Sequence, residues 1–186
     1  GRMTKQIDHF QAQEKVYTGT FLLGQTTPSY DMECEPDAFF PTDGITVEMM
    51  EEARKQFIGE ILQRPPKFSA IKINGKRAFD YARSDKEIEM KERLVTIEDF
   101  KLDYSEFPKI NFEVKCSKGT YIRSLAHDFG KALGNGACLI SLRRTKIGDL
   151  CVEDAIDVEE LDYDKIIESK KALTSMNRYF VDDKMK

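Results

Sequence analysis

Along this chain, apolar positions alternate in some stretches and recur every three or four residues in others. Val16 to Leu23 is rich in β-branched and aromatic residues and predicts a strand. Before it, Thr4 to Glu14 reads as the end of a helix. Three prolines (Pro28, Pro36, Pro41) and many acids between Gly24 and Gly44 predict a long loop. Thr46 to Ile58 predicts an amphipathic helix, with Val47, Met50, Ala53, Phe57 and Ile58 on one face. Gly59 stands where a C-terminal glycine belongs. Arg64-Pro65-Pro66 interrupts the chain; beyond it, Ile71–Ile73 and Arg77–Phe79 flank Asn74-Gly75, a strong hairpin signal. Ala78 to Arg83 fits the start of a helix equally well. Arg93 to Leu102 and Ile110 to Cys116 alternate as strands, the latter with Ile110, Phe112, Val114 and Cys116 on one face. Thr120 is the expected N-cap of a helix running to about Leu133 and closed by Gly134. Ala137–Leu142 and Lys146–Val152 predict two further strands, and Val158 to Ser169 a helix. Strands followed by helices, without regular βαβ alternation, predict an α+β fold: a mainly antiparallel mixed sheet flanked by helices.

The 186 residues fit one domain. Residues 1–152 are expected to form it, and 153–186 a C-terminal helix and tail with no separate domain. The chain is 40% hydrophobic and 33% charged, as expected of a soluble protein. No apolar run approaches the roughly 18 residues of a membrane span, so no membrane partner is expected. The four cysteines are scattered, with no CxxC, and there are only two histidines. That pattern argues against a zinc site or disulfide framework and suits a reducing, cytoplasmic setting. Neither a phosphate-loop motif nor a serine elbow is present. We therefore expect no metal and no cofactor.

A net charge of −4 argues weakly against a nucleic-acid partner, but its distribution changes the picture. Residues 64–83 hold six bases (Arg64, Lys67, Lys72, Lys76, Arg77, Arg83) and one acid. Residues 115–146 hold seven bases, among them Lys118, Arg123, Arg143 and Arg144, and one acid. The acids concentrate in 28–62 and 149–168, nine in each. Two basic blocks in an acidic chain fit either a mixed surface or the footprint of a polyanion site. The first block interleaves bases with Phe68, Phe79 and Tyr81, the chemistry of RNA recognition; Phe68 and Phe79 fit the core better. Arg123 falls in the first turn of its predicted helix, at the third helical position, where a cation opposes the helix dipole. A local rule broken in this way points to an anionic partner, carboxylate or phosphate, although an exposed arginine beside Asp128 also fits. Tyr17 in its strand fits ordinary packing, and Leu142-Arg143-Arg144 fits a core leucine followed by a solvated pair.

Taken together and in order, several segments resemble the TruB-type tRNA pseudouridine synthases. These are Gly1–Lys5, Lys15-Val16-Tyr17, Leu23–Thr26 with Asp31, Gln63–Lys72, Asn74–Phe79 with Ala82-Arg83, Cys116–Arg123, and Leu142–Thr145. The resemblance implies a pseudouridine-synthase-like catalytic domain that isomerises the T-arm uridine of tRNA without cofactor or metal, with tRNA as partner. It implies catalytic roles for Tyr17, beside the target base, and Arg123, paired with a nucleophilic aspartate. Tyr121 and Leu142 would line the uracil pocket, and residues 64–84 would be a thumb that docks on the T-arm. RNA contacts would come from Arg64, Lys67, Ser69, Lys72, Lys76, Arg77, Arg83, Lys118, Arg143 and Arg144. The family's nucleophile sits in a Gly-His-x-Gly-x-Leu-Asp-type motif that this chain does not contain. The chain is therefore expected to be an N-terminally truncated catalytic domain, inactive alone. The alternative is a non-catalytic RNA-binding or tRNA-folding module using the same basic surface. Departures occur at Pro28-Ser29-Tyr30, Phe79 and Ser84-Asp85.

Overall fold

The alternating stretches pair into an antiparallel sheet with one long helix against it. In this computed structural model, the described residues are 4–5, 7–69, 72–73, 76–78, 90–160 and 162–168. The chain divides into two units, Gly1–Gly148 and Asp149–Lys186. In the first, a short helix α1 (Ile7–Ala12) leads into strand β1 (Lys15–Leu23). Lys15 is buried, and its ammonium group donates to the carbonyls of Gln11 and Gln13, both at 2.5 Å, so that it closes the open end of α1.

After β1 come a pair of short strands, β2 (Gln25–Thr26) and β3 (Ala38–Phe39), joined antiparallel within the stretch expected to be all loop. Helix α2 (Val47–Lys55) starts as predicted, with the Thr46 side chain accepting from the Met49 amide at 3.3 Å. It ends three residues earlier than expected. Gly59, at φ 95°, opens strand β4 (Gly59–Gln63), which the sequence pattern did not reveal. Five residues between a helix and a diproline carry too little alternation to be recognised. The predicted hairpin is present: β5 (Lys72–Ile73) pairs with β6 (Lys76–Arg77), Lys72 opposite Arg77. Its turn and residues 79–89, including Phe79, Tyr81 and Arg83, lie outside the described residues.

Strands β7 (Arg93–Asp103) and β8 (Lys109–Cys116) follow. Ile110, Phe112, Val114 and Cys116 are all buried, as their alternation requires. Helix α3 (Ile122–Ala132) is capped by Tyr121 rather than Thr120, whose hydroxyl turns back to the Ser117 carbonyl at 2.9 Å. Gly134, with φ 65°, closes the helix as predicted. The two strands expected at 137–142 and 146–152 begin as one, β9 (Ala137–Ile147). Register shifts opposite Val16/Tyr17 and Thr20/Phe21 absorb its irregular pattern, so the bases at 143–146 do not break it.

Within this unit the strand order is β9-β1-β8-β7-β4. β1 is therefore internal, paired with β8 on one side and β9 on the other. α3 buries Ile122, Leu125, Ala126 and Phe129, and α2 adds Met50 and Ala53. The centre is aromatic: Phe21 stacks on Phe112 at 4.3 Å and meets Phe100 and Phe129 at 6.2 and 6.0 Å. In the second unit, the expected helix at 158–169 is split. Val158–Glu160 forms a 3-10 turn, and residues 163–168 are helical. Asp157 and Asp162 each accept from a following backbone amide, so each starts its own turn.

Candidate active site

Arg123 is the second residue of α3, one place earlier than predicted. The helix carries no acid in its first turn and no side-chain cap, so the local sequence offers the guanidinium nothing. Its partner comes from far along the chain. Nη1 lies 2.9 Å from Asp31 Oδ2, and both side chains are largely buried. Nη1 also donates to the Ser29 carbonyl at 3.4 Å, and Nη2 to the Phe68 carbonyl at 2.7 Å. The anionic partner inferred from the dipole argument is thus a carboxylate, Asp31, and not Asp128. Three of the five guanidinium N–H groups are placed by these bonds, which leaves donors for an incoming group.

Asp31 is held as firmly as the arginine. Its Oδ1 accepts from Ser29 Oγ at 2.6 Å and from the Glu33 amide at 3.0 Å. Its carbonyl accepts from Thr27 Oγ1 at 2.7 Å. The preceding Tyr30 sits at φ 66°, uncommon for a residue with a side chain, and its ring stacks on His127 of α3 at 4.0 Å. The Tyr30 carbonyl accepts from the Leu139 amide, which ties the loop to β9. The sequence reading assigned Asp31 no role, because it lies outside the nucleophile motif. The missed signal is the density of Thr27, Ser29 and Asp31, short polar side chains that lock a turn.

Between this loop, α3 and β9 is a cavity of about 450 Å³, lined by Asp31, Glu33, Arg123, Leu139 and Leu142, among others. Two of the predicted residues, Arg123 and Leu142, therefore share one space. Leu142 is half exposed at its edge. It sits opposite Gly19 of β1, where a Cβ would come within 2.2 Å of the Ser141 carbonyl. Neither Tyr17 nor Tyr121 is among the described lining. Tyr17, two places before Gly19, packs against the aromatic core between Val114 and Arg144. Burial raises its phenol pKa, with Arg144 opposing the rise, so the ring is neutral near pH 7. Tyr121 lies at the head of α3, its backbone gripped by Gln63.

Among the predicted RNA contacts, Lys67, Lys118, Arg143 and Arg144 are exposed. Arg64 is exposed too and pairs with Glu92 at 2.9 Å. Lys72, Lys76 and Arg77 lie on the small hairpin. Arg83 is outside the described residues. Ser69 departs from expectation. It is only 4% exposed and its hydroxyl has no partner among the described residues; the Arg64 and Phe68 carbonyls nearby are held by Ser124 and Arg123 of α3. A residue so placed does not face a surface ligand.

A second cavity, of about 400 Å³, lies across Tyr30 and is lined by His127, Asp128, Lys131, Arg64 and Phe57, among others. Burial lifts the Asp128 carboxyl to about 6 and lowers the His127 imidazole.

Residues 1–122 match the family model described as TruB family pseudouridylate synthase, N terminal domain; residues 123–180 match the tRNA pseudouridylate synthase B C-terminal domain. The join between the two falls inside the first turn of α3, although β9 beyond it pairs with β1 before it. The chain is 54% identical over 158 residues to tRNA pseudouridine synthase B of Flavobacterium johnsoniae, covering 85% of this chain and 69% of that protein. It is 51% identical over 162 residues to the protein of the same name from Parabacteroides distasonis, covering 87% and 69%. Among solved structures it is similar to a chain of a Cbf5-Nop10-Gar1 complex, with TM-score 0.62 and 26% identity, over 90% of this chain and 41% of that one.

Proposed function

The chain belongs to the TruB family of tRNA pseudouridine synthases, and on that footing we propose that the cavity beside Arg123 receives the T-arm uridine of tRNA during its conversion to pseudouridine. The observation that carries this reading is the Arg123–Asp31 pair at 2.9 Å, set into the wall of a cavity that Leu142 also lines. The isomerisation breaks the bond from the ribose C1′ to N1, forms one from C1′ to C5, releases the C5 proton and leaves N1 carrying a proton. A carboxylate attacking the nucleotide must stay ionised and fixed, and an arginine within hydrogen-bond reach achieves both. Arg123 has donors to spare for that carboxylate once Asp31, Ser29 and Phe68 have oriented it. No aspartate of this chain is assigned as nucleophile.

Leu142 supplies an apolar side for the uracil ring; Tyr17, which packs on the core outside the described lining, keeps only the role beside the base that the family resemblance implies. The uridine has to leave its stack to reach the cavity. The exposed bases Arg64, Lys67, Lys118, Arg143 and Arg144, with the β5–β6 hairpin, hold the RNA backbone. All four cysteines are free thiols, which is consistent with a cytoplasmic setting.

The test is tritium release from T-arm RNA labelled at uridine C5, using the full enzyme. Arg123→Ala should lower kcat by about 100-fold or more, as loss of a preorganised charged donor does. RNA affinity should change far less. Unchanged turnover would refute the site assignment. Tight RNA binding with no isomerisation by the unaltered enzyme would favour a non-catalytic RNA-binding role.

A further inference from the structure

Gln63 is 1% exposed and is the last residue of β4, the outer strand beside β7. Its amide bonds twice to one residue on another element. The Tyr121 amide donates to Gln63 Oε1 at 2.7 Å, and Gln63 Nε2 donates to the Tyr121 carbonyl at 3.1 Å. This is the pattern of a strand neighbour, supplied by a side chain. It falls on the N-cap of α3, which has no side-chain cap of its own and whose carbonyl receives the first helical bond, from Leu125 at 3.0 Å.

The next bonds extend the same seam. Ser124 Oγ donates to the Arg64 carbonyl at 2.7 Å, and Arg123 Nη2 to the Phe68 carbonyl at 2.7 Å. Residues 63, 64 and 68 are thereby laced to 121, 124 and 123. Packing alone does not require this. A leucine would fill a buried strand position without needing two aligned partners. What the amide adds is direction: it sets the height and rotation of the first turn of α3, and so where the Arg123 guanidinium reaches.

We propose that Gln63 is a positioning residue for the isomerisation, holding the head of α3 so that Arg123 faces the cavity. This rests on the reading of Arg123 given above. It also ties Arg123 to the start of the basic 64–83 segment, which begins one residue after Gln63.

The test compares Gln63→Glu and Gln63→Met in the full enzyme, each alone and combined with Arg123→Ala. Single-turnover rates on T-arm RNA are read at a temperature where melting curves show every variant folded. Gln63→Glu keeps the shape and the acceptor but sets a second oxygen against the Tyr121 carbonyl; Gln63→Met removes both bonds. Each should lower the chemical rate by about 10-fold or more, as small misplacements of catalytic groups do, with KM changed less than about threefold. In the Arg123→Ala background the same changes should cost less than about twofold, because the group they aim is gone. Lower pH should restore much of the Gln63→Glu rate, since a neutral carboxyl can again donate to Tyr121. Full activity in the folded Gln63 variants, or equal losses with and without Arg123, would overturn the proposal. If Arg123→Ala alone leaves the rate unchanged, the site reading falls first and this inference falls with it.

Discussion

Replacing Asp128 by asparagine should stabilise the protein at neutral pH and leave it unchanged in acid. Asp128 lies on α3 and lines the cavity with Tyr30, His127, Arg64, Glu92 and Lys131. Burial is the main cause of its raised pKa, from the ordinary 3.8 to about 6; Glu92 adds to the rise, and Lys131 and Arg64 oppose it. A carboxyl whose folded pKa exceeds its unfolded one holds its proton more tightly when folded. Its cost is absent below about pH 4, grows as pH rises, and is complete above about pH 6. At 1.36 kcal/mol per pH unit, the full shift would be worth about 3 kcal/mol. Asp128 is partly exposed, and solvent screening reduces that to about 1–2 kcal/mol. Asn keeps the shape and cannot ionise. Urea unfolding of both proteins at several pH values should show the Asp128→Asn protein more stable by about 1–2 kcal/mol near neutrality, the difference vanishing toward pH 4. A difference independent of pH, or a less stable variant at neutral pH, would show that burial does not govern this carboxyl.

Gly130 in α3 tests packing against helix propensity. Alanine there should gain about 1 kcal/mol by propensity alone. Its Cβ, however, would stand 2.3 Å from the Ala137 amide nitrogen and 2.7 Å from the Ala137 Cβ. Gly130→Ala should therefore destabilise by about 1–3 kcal/mol, read as a lower urea midpoint; a raised midpoint would refute this close approach of α3 and β9. For RNA contacts, Lys118→Ala and Arg143→Ala should each reduce the slope of log affinity against log salt by about 1, measured by fluorescence anisotropy on T-arm RNA. An unchanged slope would remove that residue from the interface.

Much of the fold is legible locally. The buried face of β8 follows from residues spaced by two, and the start of α2 from Thr46 before an amphipathic run. The β5–β6 pair follows from the Asn74-Gly75 dipeptide, a hairpin signal in the sequence. These signals survive because they involve neighbours only. Where local rules pointed the wrong way, tertiary packing had decided otherwise. Strand β9 runs through three bases, Arg143, Arg144 and Lys146, without a break because β1 lies beside it for its whole length. Tyr121 rather than Thr120 caps α3 because Gln63 satisfies its backbone.

The site divides in the same way. Arg123 is marked in the sequence by a cation in a helix's first turn, and the ordered motifs name the family. An anionic partner is one of two readings that the chain allows; that the partner is Asp31 only the fold shows. Asp31 and Arg123 lie 92 residues apart, and Gln63 and Tyr121 58 apart. No periodicity spans such distances. The sequence by itself determined the faces of β8 and α2, where positive charge gathers, and that Arg123 stands against the helix dipole. The tertiary structure alone decided which carboxylate answers it, that Ser69 turns inward, and that a buried glutamine aims the helix. Those choices depend on which groups lose water together when the sheet, α3 and the loops close on one core.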